Sequence, residues 1–167
     1  PNFKTIAVVN QDYAWGRESW EIFSTALKAM KPDVQVVAEL FPKFGSPDYS
    51  TEVSRLLALR PDVVFTTSWG GDLDTLVRQS GQRGLLQQST FILAIGESSV
   101  QRLGKDLPEG LIVGARGDHW FLHPEKKGDA AFKAFNEAFK AKTGAWPIYP
   151  VYHMAQAFAA LQTAYDK

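Results

Sequence analysis

Glu97, Asp118 and His119 are the side chains of this sequence whose types fit acid–base work: two carboxylates and an imidazole that titrates near neutrality. Glu97 and Asp118 could share a proton if the fold brought their loops together, although loop carboxylates are mostly solvated. His119 and His123 stand four residues apart, the spacing of two metal ligands on one helix face. Pro124 and the loop-like surroundings argue against such a face, and so against a metal pair. His153 falls in an apolar, alanine-rich stretch, where a packed or capping role is expected. Cysteine is absent, and no G-x-S-x-G, G-x-G-x-x-G or Walker A pattern occurs. The reading is therefore a protein that is not an enzyme, with no cofactor and no metal.

A second group of residues points to binding. Tyr13, Trp15, Trp69 and Trp120 fall outside the predicted core stripes, and aromatic walls with a few polar groups are what small-molecule pockets need. Gly16 and Gly70-Gly71 stand where helices are expected to begin, so backbone N–H groups there could meet an anion. Simple turn geometry explains each glycine equally well. Each aromatic alone could seal the end of a sheet, and it is their gathering at one end that favours a pocket.

The elements that place these residues alternate in kind. Apolar, β-branched runs at 5–10, 34–41, 62–67, 90–95 and 110–116 read as strands, several of them apolar on both faces. Between the first two, Trp20, Phe23, Leu27 and Met30 form one amphipathic helical stripe, ended by Lys31-Pro32. Asp48 is the expected N-cap of a second helix that buries Val53, Leu56, Leu57 and the stem of Arg60 before Pro61. A third spans roughly 73–83 with Gly84 as its cap, and a short one lies near 99–103. This order predicts an α/β fold, a doubly wound parallel sheet with ligands beyond the carboxyl ends of its strands. Those ends carry the loops at 11–16, 68–72, 96–99 and 117–121. After residue 116 no strand follows. Two helices, about 126–142 and 150–165, carry Phe132, Phe135 and Phe139, then Met154, Phe158, Leu161 and Tyr165, and they want burial that this sheet does not obviously supply.

Composition narrows the class. The 167 residues contain 18 basic and 18 acidic side chains, a balance that argues against a broad nucleic-acid-binding face. No apolar run reaches the ~20 residues of a membrane helix. No leader-like segment precedes the first strand, so the sequence reads either as a compact domain or as a piece of something longer.

Specific strings then bear a resemblance. Lys4-Thr5-Ile6-Ala7-Val8-Val9, followed by Asp12-Tyr13-Ala14-Trp15-Gly16-Arg17, resembles the opening of the second lobe of type I periplasmic binding proteins, in the leucine/isoleucine/valine-binding family of ABC importers. Phe44-Gly45-Ser46-Pro47-Asp48-Tyr49-Ser50 is similar to the loop before that lobe's second helix. Arg60-Pro61-Asp62-Val63-Val64-Phe65 resembles its third strand, and Glu109-Gly110-Leu111-Ile112-Val113 the strand by which the chain leaves it. Thr143-Gly144, Pro147 and the alanine-rich helix with Tyr152 resemble the return helices. The series runs over essentially the whole chain, in order.

The resemblance implies a fold of two lobes closing on a ligand. It implies that residues 1–116 form the second lobe and that 117–167 provide a crossover and two helices packed on a first lobe not contained in this sequence. Exposed apolar surface and self-association are expected of such a piece. Trp15 and Trp69 fall at cleft aromatics, and with the loop reading the candidate ligand-binding set is Tyr13, Trp15, Trp69, Gly70, Glu97 and Asp118. In amino-acid binders an acid after the fourth strand pairs with the ligand's ammonium. Aligned without a gap this position is Ile95, and with a two-residue shift it is Glu97. An ammonium buried against Ile95 would cost several kcal/mol, and an aromatic or aliphatic carboxylate would then suit the site better than a branched or aromatic amino acid. The implied partners are that small solute and, through the complete protein, a membrane-bound ABC permease, with no nucleic acid and a periplasmic or extracellular location. The alternative is a ligand-sensing domain of a receptor or regulator with the same fold.

Overall fold

The computed structural model describes residues 2–117, 119–120 and 129–166. The first strand, β1 (Thr5–Val9), lies at the centre of the core, with Ile6 through Val9 fully buried. Its side chains alternate between two apolar layers, as the two-residue period of a strand requires. Ala7 and Val9 join Val53, Leu56, Leu73, Leu76 and Phe91 on one face. Ile6 and Val8 join Trp20, Leu27 and Phe65 on the other. A strand covered on both faces must be apolar throughout, which is why it reads as an unbroken hydrophobic run.

Four strands complete the sheet: β2 (Gln35–Leu40), β3 (Val63–Thr66), β4 (Thr90–Leu93) and β5 (Ile112–Val113). Their order is β2-β1-β3-β4-β5 and every pairing is parallel, the doubly wound arrangement expected. The β1–β2 register shifts by one residue after Ile6, so that Ala7 faces Ala38. β5 is much shorter than the 110–116 run predicted. Among the described residues only β4 lies beside it, and a side chain at Gly114 would stand 2.2 Å from the Ala94 carbonyl oxygen, so the backbone approach that ends the strand requires glycine.

The helices connecting these strands are α1 (Ala14–Met30), α2 (Ser50–Leu59), α3 (Gly70–Gln82), α4 (Leu85–Gln88) and α5 (Glu97–Leu103), the last followed by a 3-10 turn at Gly104–Asp106. Four expectations need correction. Met30 is 79% exposed rather than part of the buried stripe. A 17-residue helix runs ~25 Å and outreaches a five-residue strand of ~17 Å, so Met30, its final residue, extends past Leu27, the last buried residue of the helix. Arg60 does not bury its stem, because it adopts the left-handed conformation (φ 52°) that closes α2 before Pro61, and it is exposed. α3 begins three residues earlier than predicted, and Gly84 (φ 79°) lies just past its end and opens the unpredicted α4. Asp48 acts one position before the cap: its carboxylate accepts from the Ser50 N–H at 3.0 Å and from the Ser50 hydroxyl at 2.5 Å. Arg102 grips the buried Asp74 with two nitrogens, at 2.6 and 3.2 Å, and so fastens α5 to α3.

The chain forms two compact units, Pro1–Gly114 and Ala115–Lys167. The second contains α6 (Ala130–Thr143) and α7 (Tyr149–Tyr165). Asp129 caps α6 by accepting from the Phe132 N–H at 3.0 Å, and Gly144 closes it in the left-handed region. The helix predicted from residue 126 has its first positions outside the described residues. Inside this unit the Tyr152 hydroxyl donates to Asn136 Oδ1 at 2.7 Å, and its ring packs on Phe132 and Phe135. Met154, Phe158, Leu161 and Tyr165 form an exposed apolar stripe along α7. Among the described residues, no helix is long and apolar enough to cross a membrane.

Asp62 staples the start of the sheet. Its Oδ2 accepts from the N–H groups of Lys4 (2.8 Å) and Thr5 (2.9 Å), while its own N–H donates to Thr5 Oγ1 at 2.9 Å. These donors, the Lys4 backbone foremost, hold its carboxyl below the ordinary value of 3.8. A carboxyl depressed in the folded state contributes stability above its unfolded pKa and loses it as pH falls through the folded one. Asp62→Asn should therefore flatten the loss of stability below about pH 4, read as urea midpoints between pH 2.5 and 6. Parallel pH curves for the two proteins would show that the staple carries no linkage.

Candidate functional site

β1 and β3 are neighbours, yet their helices lie on opposite faces: Trp20 and Leu27 of α1 in one apolar layer, Leu73, Leu76 and Val77 of α3 in the other. The loops leaving the two strands must diverge, and in a doubly wound sheet this reversal opens a crevice at the carboxyl ends. The buried Asn10 side chain spans it. Its Nδ2 donates to the Gly16 carbonyl at 2.6 Å, and its Oδ1 accepts from the Thr67 N–H at 2.7 Å. A Cβ on Gly16 would sit 2.0 Å from the Gln11 carbonyl oxygen, so this glycine serves a close backbone approach and not an anion.

An aromatic wall stands on this bridge. The Trp69 indole N–H donates to the Tyr13 hydroxyl at 2.8 Å. Phe44 packs edge-on against Tyr13, with ring centroids 5.5 Å apart, and lies 5.6 Å from Trp69. The Trp15 indole N–H reaches back to the Thr67 carbonyl at 3.4 Å. Trp15, Phe44 and Trp69 remain 43%, 48% and 37% exposed. Three large apolar rings are thus left open to solvent around one crevice.

Polar groups behind the wall lock its loops. Asp72 Oδ2 accepts from Gln11 Nε2 at 2.9 Å and from the Gly45 N–H at 2.8 Å, tying the loops after β1 and β2 to the first turn of α3. Burial pushes the Tyr49 hydroxyl well above its ordinary value, and the nearby Asp72 carboxylate adds to the effect. Arg17 donates to Asp12 at 2.6 Å and lies 4.4 Å over the Phe41 ring; its hydrogen bond, above all, holds the Asp12 carboxyl below the ordinary range.

The remaining candidates are distributed differently. Gly70 opens α3 at φ 63°, and both it and Gly71 face open space. Glu97 lies in the first turn of α5 and is only 2% exposed, and Ile95 is buried as well. Trp120 belongs to the second unit, where it stacks on Trp146 at 4.6 Å. His119 is also in that unit and is buried. His153, expected to be packed or to cap, is exposed with its ring against Tyr149. Asp118 and His123 lie outside the described residues. Among the described residues, no group of three His, Cys, Asp or Glu could hold a metal. A groove of about 450 Å³ at the amino ends of the strands, lined by Phe3, Asp62, Gln87 and Thr90 among others, lies at the other end of the sheet from the aromatic wall.

Reasoning from sequence brought Tyr13, Trp15, Trp69 and Gly70 to one crevice but missed Asn10, Phe44 and Asp72. The signal for Phe44 was present. In an all-parallel sheet the loop after the second strand opens at the same end as those after the first and third, so it belonged with the candidate loops.

A 2-1-3-4-5 parallel sheet covered by helices on both faces defines a doubly wound α/β lobe. The chain belongs to the periplasmic binding protein family, which matches residues 1–165. It is 28% identical over 142 residues to the Leu/Ile/Val-binding protein homolog 4 of Brucella abortus, covering 84% of this chain and 32% of that protein. It therefore spans about a third of the length of the curated relatives it matches. The closed structure of a leucine-, isoleucine-, valine-, threonine- and alanine-binding protein from Brucella ovis is 27% identical, with a TM-score of 0.62 over 89% of this chain and 36% of that one. A solute-binding protein of an ABC transporter from Rhodopseudomonas palustris BisB5, solved with 3,4-dihydroxybenzoic acid, is 22% identical with a TM-score of 0.71, covering 97% and 44%.

The bridge can be tested alone. Asn10→Ala leaves the Gly16 carbonyl and the Thr67 N–H unpaired in a buried position, and should cost about 2–4 kcal/mol in urea unfolding. A loss below about 1 kcal/mol would mean that the two loops hold their places without it.

Proposed function

We propose that this chain is part of the solute-binding component of an ABC importer, acting without catalysis in the periplasm or outside the cell. The observation that carries the reading is the half-open aromatic wall of Tyr13, Trp15, Phe44 and Trp69 at the reversal point of a periplasmic-binding-protein sheet. Family membership and the ligands of relatives support it: branched and small amino acids in one, a dihydroxybenzoic acid in another. The ligand would lie against this wall and be enclosed by a further lobe. The exposed stripe of α7 is the natural seat for that lobe, and a membrane permease receives the solute from the complete protein.

Within this reading a flat aromatic carboxylate is favoured over a free α-amino acid. Both indole N–H groups are spent on protein oxygens, at 2.8 and 3.4 Å, so the tryptophans offer ring faces and edges rather than donors. The position at which an acid would meet an ammonium is Ile95 in the ungapped alignment, and the alternative, Glu97, is buried in a helical turn.

A thermal-shift panel on the full-length protein tests this, with leucine, benzoate, 3,4-dihydroxybenzoate, a short fatty acid and an amide. A ligand at 100 times its Kd adds about 2.7 kcal/mol and should appear with the benzoates. Stabilisation by leucine alone would reverse the solute class, and silence across the panel would favour a sensory role. Trp69→Ala should weaken the responding solute about 30-fold or more, the loss typical of a central aromatic contact. Unchanged affinity would move the site away from this wall.

A further inference from the structure

Tyr13 is the member of the wall with hydrogen-bonding capacity still to give. An indole nitrogen can only donate, so the 2.8 Å contact between Trp69 Nε1 and Tyr13 makes the phenolic oxygen the acceptor. The phenol's own proton must then point elsewhere, and among the described residues no acceptor takes it. Accepting one hydrogen bond also polarises the O–H and makes it a stronger donor. Phe44 fixes the ring edge-on, which limits where that proton can be directed. Trp15 cannot play this part, since its N–H turns inward to Thr67. Asp12, one residue away, is occupied by Arg17.

We propose that Tyr13 is a specificity-determining residue that donates a hydrogen bond to an acceptor oxygen of the solute, selecting aromatic ligands that carry a carboxylate or ring oxygen from those that offer only apolar surface. The proposal rests on the solute-binding reading above. The bond from Trp69 aims the hydroxyl, Phe44 holds the ring, and the solute supplies the oxygen.

Tyr13→Phe removes the donated proton but also releases Trp69, so a single variant confounds the two effects. Trp69→Phe, which keeps a ring and loses the indole N–H, separates them. Full-length wild type, Tyr13→Phe, Trp69→Phe and the double variant are titrated calorimetrically with benzoate, 3,4-dihydroxybenzoate and leucine, with urea midpoints confirming that each is folded. Tyr13→Phe should weaken binding of the oxygen-bearing aromatic about tenfold in the wild-type background and about tenfold again in the Trp69→Phe background, the size of one hydrogen bond to a charged acceptor. If Tyr13→Phe has no further effect once the indole N–H is gone, Tyr13 only positions Trp69 and the proposal fails, while the solute-binding reading stands. If no probe binds the wild type, that reading falls and takes this proposal with it.

Discussion

The side chain of Asn10 holds together the part of the sheet where the fold is under the greatest geometric demand. β1 and β3 run side by side, but their helices depart to opposite faces, and the backbone groups exposed by that parting have no strand to pair with. One buried amide satisfies a carbonyl on one side and an N–H on the other, at 2.6 and 2.7 Å. Each loop then has a fixed starting point. Tyr13 and Trp69, the residues that precede α1 and α3, stand close enough for an indole to reach a phenol across 56 residues of sequence. The Asp72 contacts with Gln11 and Gly45 and the indole–phenol bond then add to this anchor from outside it.

The layers beneath do separate work. The alternation along β1 sends Ile6 and Val8 to one face and Ala7 and Val9 to the other, so each layer is sealed by its own helices. Asp62 at the amino end and Asp72 at the carboxyl end fasten loops to the sheet through backbone N–H groups. Both carboxylates act locally, and the sheet carries them at its two ends with the apolar mass between.

Much of this was legible in the sequence because the relevant signals are local and periodic. The apolar runs of β1 and β3, the helix stop at Lys31-Pro32 and the Gly144 cap all follow from residue chemistry within a few positions. What escaped was whatever depends on length or on distant partners. Met30 obeys the helical spacing but overhangs the strands, and Arg60 obeys the stripe but is turned out by the left-handed cap. At the crevice, Tyr13, Trp15 and Trp69 stood out because aromatic residues in loops are conspicuous. Asn10 and Asp72 look like ordinary polar loop residues until pairing brings Thr67 and Gly45 beside them.

The rings of the wall belong to neither apolar layer: Tyr13, Trp15, Phe44 and Trp69 are absent from both clusters that seal the sheet. The side chains that seal the sheet and the rings that line the crevice are therefore separate sets. A substitution that exchanges one ring of the wall for another leaves both layers intact, so the lining of the crevice can vary without the core being repacked.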